Sequence, residues 1–241
     1  MIQYERRQSI LQYLEKRQSA SMRELADHIF ASEASVRRDV ATLEEQGYVE
    51  RIYGGVILSQ YRNSVVPLDL REGEHSAEKE QIAKRAAEMI PDGCTVMLDA
   101  SSTARRIVKY LGNRRDLKII TNSVKLFDAP IGEHITLYCT GGTYSRHNHD
   151  FVGAGAETYL RSVTADFLFF SSQGLSDDGE ITDVSEEETA LRRVMLSRAK
   201  KRIFLCDSSK LGTKRVFTVC HKDELDGILC DAPLPWEERD A

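Results

Sequence analysis

The chain has 241 residues, of which 41% are hydrophobic and 29% charged, and its net charge is −5. That balance excludes a disordered or collagen-like chain, and it excludes a polycation that would hold nucleic acid by global charge. No apolar run approaches a membrane span and the N-terminus MIQYERRQ lacks a signal-like apolar region, so the expectation is a cytoplasmic protein without membrane contact. Five cysteines, widely spaced and without a CxxC pair, read as free thiols rather than disulfides or zinc ligands.

Residues 1–58 read as three helices and a short hairpin. The first helix covers about 4–16, with Ile10, Leu11 and Leu14 at helical spacing. The second opens at Ser21, where Ser21-Met22-Arg23-Glu24 has the capping-box pattern of a hydroxyl followed three residues later by a carboxylate. Leu25, Ala26 and Ile29 form its apolar face. The third helix runs from about 32 to 46 and stops at Gly47, with Val36, Val40 and Leu43 facing inward. Residues 48–53 and 56–58 then read as two strands joined by Gly54-Gly55.

On the third helix, a step of about 100° per residue sets Arg38 nearly opposite the Val36/Val40/Leu43 face. Arg37 lies on its flank, and Ala34, Ser35, Ala41 and Thr42 share the exposed side. Arginines beside small polar residues suit a helix whose first half enters a major groove, since guanidinium pairs with guanine edges or phosphate. Arg51 and Tyr53 on the hairpin would reach adjacent backbone. The DNA-contacting set is therefore Ser35, Arg37, Arg38, Thr42, Arg51 and Tyr53. Residues 1–60 hold eight Lys/Arg against nine Asp/Glu. Affinity for double-stranded operator DNA must then come from a local patch doubled in a homodimer or homotetramer.

Residues 59–74, with Pro67 and Gly73, read as a linker. From 75 to 234 short apolar strands alternate with helices. Strands are expected at 95–98, 118–121, 135–140, 167–171, 202–206 and 227–230, and helices at 77–90, 102–111 and 186–199. The fold class is α/β: a small winged helix-turn-helix domain, then an open, mostly parallel sheet with helices on both faces. The tail 235–241 reads as loose.

Ligands of such sheets bind beyond the carboxyl ends of the strands. The segments there are rich in hydroxyl, amide, glycine and charge: Asp99-Ala100-Ser101-Ser102-Thr103, Thr121-Asn122-Ser123, Gly141-Gly142-Thr143, Ser171-Ser172-Gln173-Gly174 and Asp207-Ser208-Ser209-Lys210. Ser101, Ser102 and Thr103 at a helix start suit a phosphate, with Lys210 and Lys79 as cations. Asp99 and Asp207 would accept from sugar hydroxyls. The effector set is Lys79, Asp99, Ser101, Ser102, Thr103, Thr121, Asn122, Gly141, Gly142, Gln173, Gly174, Asp207 and Lys210. No cofactor or metal is expected: His147 and His149 form an HxH pair without an obvious third ligand, and Glu186-Glu187-Glu188 reads as the acidic first turn of a helix.

The run Ser35-Val36-Arg37-Arg38-Asp39-Val40, with Arg7, Ile10, Leu43, Gly47, Arg51 and Gly54-Gly55, resembles the signature of the DeoR family of transcription regulators. The second half is similar to that family's sensor domain at Pro67, Arg71, Glu78-Lys79, Asp92-Gly93, Leu98-Asp99, Thr103, Thr121-Asn122 and Gly141-Gly142. It matches again at Arg146, Gly153, Asp166, Gly174, Gly179, Met195, Asp207, Lys210 and Asp231. Departures are small in the first half, with serine for threonine at Ser35 and valine for leucine at Val40. In the second half, Ser101 replaces a glycine and Arg192 stands where lysine is frequent. The resemblance implies a fold similar to ribose-5-phosphate isomerase, a phosphorylated sugar or polyol as effector, and effector-controlled operator binding. The expected function is a non-enzymatic repressor of a carbohydrate-utilisation operon. The alternatives are a sugar-phosphate isomerase-like enzyme with a DNA-binding appendage, and a winged helix that binds protein instead of DNA.

Overall fold

The structure is a computed structural model and describes residues 3–17, 19–45, 48–52, 55–58, 68–73, 75–146 and 148–237. Gln46 and Gly47, Tyr53, Gly54, most of the expected linker with Pro67, and His147 lie outside the described residues. The chain divides into two compact units, Met1–Glu74 and His75–Ala241.

The first unit contains α1 (Gln3–Arg17), β1 (Ser19–Ser21), α2 (Met22–His28), α3 (Glu33–Glu45), β2 (Val49–Ile52), β3 (Gly55–Leu58) and α4 (Leu68–Gly73). Both halves of the capping box form: Ser21 Oγ accepts from Glu24 N at 3.1 Å, and Glu24 Oε2 accepts from Ser21 N at 2.7 Å. Ile10, Leu14, Leu25, Val36, Val40, Leu43, Val49 and Val56 make one apolar core between helices and sheet. The wing has a third strand that the sequence did not announce, since β1 pairs antiparallel with β3. Gly55 is needed for that pairing, because a Cβ there would fall on the Ala20 carbonyl. Leu68–Gly73, expected in a linker, is helical.

In the second unit α5 is Ser76–Glu88. The parallel strands are β4 (Thr95–Leu98), β5 (Leu117–Thr121), β6 (Ile135–Cys139), β9 (Ala165–Phe170), β12 (Ala199–Cys206) and β14 (Gly227–Cys230). Their spatial order is β14-β12-β9-β4-β5-β6, with every neighbour parallel. The chain builds outward from β4 in one direction, then returns to its other side with β9. The gap between the ends of β4 and β9 is thus the topological switch point, where crossovers leave in opposite directions and open a crevice. Period-two alternation buries both faces. Val96, Leu98, Phe167, Phe169, Ile203 and Leu205 pack on one side with α5 and a 3₁₀ segment, Ala104–Tyr110. Met97, Leu168, Phe170 and Phe204 pack on the other with α6 (Ala154–Arg161) and α7 (Glu186–Arg198).

Two smaller assemblies stand beside this sheet. One is the hairpin β7 (Thr143–Ser145)–β8 (Asp150–Val152). The other is an antiparallel sheet of β10 (Gly174–Leu175), β11 (Glu180–Asp183) and β13 (Phe217–His221). None was expected, because each is short and polar enough to read as loop. The helix expected at 102–111 is 3₁₀ over Ala104–Tyr110. The tail expected to be loose packs in part: Trp236 lies against the second core and Lys222 Nζ sits 5.2 Å from its ring centroid.

Between α2 and α3, Phe30 has φ of 53° and is 95% exposed. A bulky side chain in the left-handed region is strained by about 1–2 kcal/mol and here gains no burial in return. Phe30→Gly should raise the stability of the first unit by about 1 kcal/mol, read from urea unfolding. Unchanged or lower stability would mean that Phe30 is covered in solution.

Candidate functional site

The third helix buries Val36, Val40 and Leu43 as its spacing requires, and also Asp39. Burial of a carboxylate demands partners. Arg6 Nε donates to Asp39 Oδ2 at 2.8 Å and Arg7 Nε to Oδ1 at 3.3 Å, while Arg7 Nη2 donates to Thr42 Oγ1 at 3.1 Å. α1 therefore holds α3 through two guanidinium groups. The signal for this in the sequence is an acid on the apolar face, three residues after Val36, with an Arg-Arg pair upstream.

With that clamp in place, Arg37 and Arg38 project outward. Arg37 makes a long i,i+4 pair with Glu33 at 3.5 Å, and Arg38 Nε donates to the Ala34 carbonyl at 3.3 Å. The Thr42 hydroxyl donates to the Arg38 carbonyl and accepts from Arg7. Ser35 is half-buried and shares a hydrogen bond with Ser32 Oγ at 3.0 Å. Arg51 joins wing to helix, its Nε 2.5 Å and its backbone N 3.0 Å from the Glu44 carboxylate. That backbone hydrogen bond holds the Glu44 carboxyl below the usual carboxylate range. Tyr53 lies outside the described residues.

In the second unit the segments that follow β4, β9 and β12 meet at the switch point. Asp99, immediately beyond β4, accepts from Ser101 N at 3.1 Å, Ser171 N at 3.3 Å and Arg192 Nε at 2.9 Å. Ser171, immediately beyond β9, receives Lys210 Nζ at 2.7 Å on its hydroxyl. Lys210 Nζ is also 3.0 Å from Asp207 Oδ2. Asp207 is buried, which alone would raise its pKa; Lys210, Ser209 and Lys79 outweigh that and hold it at about 2. Lys79, on α5, is itself buried.

Arg192, which the sequence marked only as a departure from the family, is the centre of the network. It is 4% exposed, and its three guanidinium nitrogens each meet a different carboxylate: Asp99 at 2.9 Å, Asp183 at 2.9 Å and Glu188 at 2.8 Å. Burial would lower its pKa, and the Asp183, Glu188 and Asp99 charges raise it instead. Glu188 does sit in the first turn of α7, whose cap is Ser185, but its side chain turns inward and also receives Asn148 Nδ2. Asn122 Nδ2 donates to Asp150 Oδ2 and to the Phe151 carbonyl, both at 3.2 Å, which brings the β7–β8 hairpin to the rim. Asp183, Glu188, Asn148 and Asp150 were missed because no local pattern distinguishes them from turn and cap residues.

The other expected residues divide into two groups. Ser101 uses its N–H on Asp99 and its hydroxyl on Ala104 N, and Thr121 Oγ1 accepts from Ser123 N, so these order the segments. Gly142, at φ 117°, would place a Cβ 2.7 Å from the Val152 carbonyl, and a Cβ on Gly174 would meet the Thr213 carbonyl at 2.5 Å. Close packing explains both glycines. By contrast, the buried atoms Thr103 Oγ1, Asn122 Oδ1, Ser123 Oγ and Gln173 Nε2 have no hydrogen-bond partner among the described residues. Ser102 is buried beside Thr103, and Gly141 turns at φ 61° after β6. Among the described residues, no group of three or more His, Cys, Asp or Glu is arranged to hold a metal.

Residues 6–61 match the family model of the DeoR-like helix-turn-helix domain, and residues 74–232 match that of the DeoR C terminal sensor domain. The chain belongs to the DeoR family of transcriptional regulators. One DeoR-family relative is the HTH-type transcriptional repressor GlcR of Bacillus subtilis, 33% identical over 96% of this chain and 89% of that protein. Another is the lactose phosphotransferase system repressor of Staphylococcus epidermidis, 31% identical over 96% of this chain and 93% of that one. Among solved structures, ribose 5-phosphate isomerase A of Methanocaldococcus jannaschii aligns with a TM-score of 0.43 at 19% identity, over 57% of this chain and 55% of that one.

Two outcomes follow for this DeoR-family chain. Asp39→Ala leaves Arg6 and Arg7 facing a buried gap, and should destabilise the first unit by about 2 kcal/mol, less than a fully buried pair because both arginines are partly exposed. A loss under about 0.5 kcal/mol in urea unfolding would show that Asp39 does not hold α3. The Asp207 pKa is depressed, so its contribution to stability is complete above 3.8 and is lost as pH falls through about 2. The stability gap between wild type and Asp207→Asn should therefore be equal at about pH 7 and 5 and smaller at about pH 3. A gap that stays constant to pH 3 contradicts the assignment.

Proposed function

We propose that the protein is a repressor of a carbohydrate-utilisation operon, and that a phosphorylated sugar or polyol bound at the switch point controls its grip on double-stranded operator DNA. The observation that carries this reading is the set of buried polar atoms at Thr103, Asn122, Ser123 and Gln173 that have no hydrogen-bond partner among the described residues, with Lys210 held on Ser171 and Asp207 and Lys79 acting on Asp207. A buried polar atom without a partner is destabilising by about 1–3 kcal/mol, a debt that a hydroxyl-rich ligand would remove. Donors and acceptors occur together, as sugar hydroxyls need. The printed names of the two relatives, a transcriptional repressor and a sugar-system repressor, support the same reading.

Within it, Lys79 and Lys210 supply charge for the phosphate, and Ser102 and Thr103 supply donors. Ser101 joins them, since its hydroxyl only accepts from Ala104 N and keeps its O–H to donate. Asn122, Gln173, Asp99 and Asp207 meet the hydroxyls, with Thr121, Gly141, Gly142 and Gly174 shaping the wall. On DNA, Arg38 reads a base edge, Arg37 and Arg51 hold phosphates, and Ser35 and Thr42 set the approach of the helix. A homodimer or homotetramer would present two such helices to paired half-sites.

Calorimetry with pentose and hexose phosphates and their unphosphorylated counterparts tests the pocket. Binding should require the phosphate, and Lys210→Ala and Asn122→Ala should each weaken it by about tenfold or more while operator affinity holds. Undiminished binding by both variants would remove the pocket from the account, and turnover of the sugar phosphate would favour an isomerase-like enzyme. For the reading helix, Arg38→Ala should lose about 1–3 kcal/mol of specific operator affinity in footprinting. Retained specificity would remove Arg38 from base contact.

A further inference from the structure

Cys206 and Cys230 end adjacent parallel strands, β12 and β14, and are direct register partners. Neighbouring strands lie about 4.7–4.9 Å apart, within the Cα separation of about 4.4–6.8 Å that disulfides bridge. Both side chains point to the same face of the sheet. Cys206 is buried in the core on the α6–α7 side, and Cys230 packs half-buried against that core. The Cys206 thiol donates to the Asp207 carbonyl at 3.5 Å and the Cys230 thiol to Asp231 Oδ1 at 3.9 Å. β14 is the edge strand, so it is paired on one side only and has room to adjust.

We infer that Cys206 and Cys230 form an oxidation site whose co-reactant is hydrogen peroxide or an organic hydroperoxide, and whose product is a disulfide between β12 and β14. The chemistry is unequal at the two sulfurs. Cys230 is the nucleophile because it is the more accessible sulfur, half-buried on the edge strand where Cys206 is buried, and the neighbouring Cys206 thiol lowers its pKa against the opposing effect of burial. Cys206 is the resolving thiol, with its pKa raised. The Cys230 thiolate attacks a peroxide oxygen. A sulfur–oxygen bond forms, the oxygen–oxygen bond breaks, and the leaving hydroxide takes up the proton that Cys230 released, giving a sulfenic acid and water, or an alcohol where an organic hydroperoxide expels its alkoxide. Cys206 sulfur then attacks the Cys230 sulfur. The sulfur–sulfur bond forms, the sulfur–oxygen bond breaks, and the thiol proton leaves with the hydroxyl as water. Two thiols are oxidised by two electrons and one peroxide is reduced.

The remaining cysteines differ. Cys220 is buried with its thiol pushed up to about 12, and burial likewise raises Cys94, whose Sγ is bonded to the Pro91 carbonyl. Cys139 lies on the opposite edge strand, β6. The pair also has a place in the unit. Asp207 and Asp231 follow it directly, and Asp231 accepts from Ser208 N at 2.7 Å and Ser208 Oγ at 2.8 Å, next to the segment that carries Lys210.

The test is graded hydrogen peroxide treatment of the purified full chain, followed by thiol counting and peptide mapping without reduction. The count of five should fall by two, with one disulfide mapped to Cys206 and Cys230, and dithiothreitol should restore it. Cys206→Ala should stop at a Cys230 sulfenic acid trapped by dimedone, a product that a merely structural thiol would not give. Cys230→Ser should consume peroxide at least about tenfold more slowly. Oxidation that first reaches Cys94, Cys139 or Cys220, or a Cys230→Ser rate equal to wild type, overturns the inference. Should either variant fail to fold, the wild-type map alone decides, since a map without the 206–230 crosslink contradicts it.

Discussion

The second unit is organised around one buried guanidinium. Arg192 reaches from α7 to the end of β4 through Asp99, to the end of β11 through Asp183, and to its own helix through Glu188. Each of these charges would be strongly unfavourable alone in a core, and each becomes tolerable only when the others are in place. The same constraint fixes the rim. Asp99 is oriented by Arg192 and then orders Ser101 and Ser171; Ser171 receives Lys210, and Lys210 holds Asp207 ionised. The carboxylates outnumber the guanidinium, so the site keeps negative charge in its depth and places its lysines toward Asp207 and Ser171. A ligand with a polyol end and an anionic end fits that asymmetry.

A smaller version of the same device supports the DNA-reading helix. Asp39 is buried and held by Arg6 and Arg7, and Glu44 is held by Arg51. The acids that make the first sixty residues slightly negative are thereby partly neutralised from within. Arg37 and Arg38 remain on the exposed face of α3, which is how a unit without excess positive charge can still present a local basic patch.

What was legible in the sequence was what local pattern encodes. The Ser21–Glu24 box, the Val36/Val40/Leu43 stripe and the apolar runs of β4, β9 and β12 depend on neighbours a few residues apart, and the structure places each where the pattern set it. The strand-end segments were legible because a parallel sheet brings the carboxyl ends to one edge. What stayed hidden depends on partners far along the chain. β1 is three residues long and exists through its pairing with β3. Asp183 and Glu188 gain meaning only beside Asp99, which is 93 residues from Arg192. The hydroxyls of Thr42 and Ser101 also have internal partners that the sequence did not reveal, Arg38 and Arg7 for the one and Ala104 N for the other. Gly142 and Gly174 were expected in the effector set, and the carbonyls from other segments that also require glycine there were not visible in the sequence.

The central claim is that occupancy of the switch point and operator binding are coupled. Coupling is reciprocal: a ligand that changes operator affinity by some factor must itself bind the operator complex with an affinity changed by the same factor. The direct measurement is fluorescence anisotropy of a selected operator duplex titrated with protein, without sugar phosphate and at saturation, paired with calorimetry of the sugar phosphate on free and operator-bound protein. The account predicts the same factor in both directions, of about tenfold or more. A sugar phosphate that binds the free protein and leaves operator affinity unchanged would contradict it.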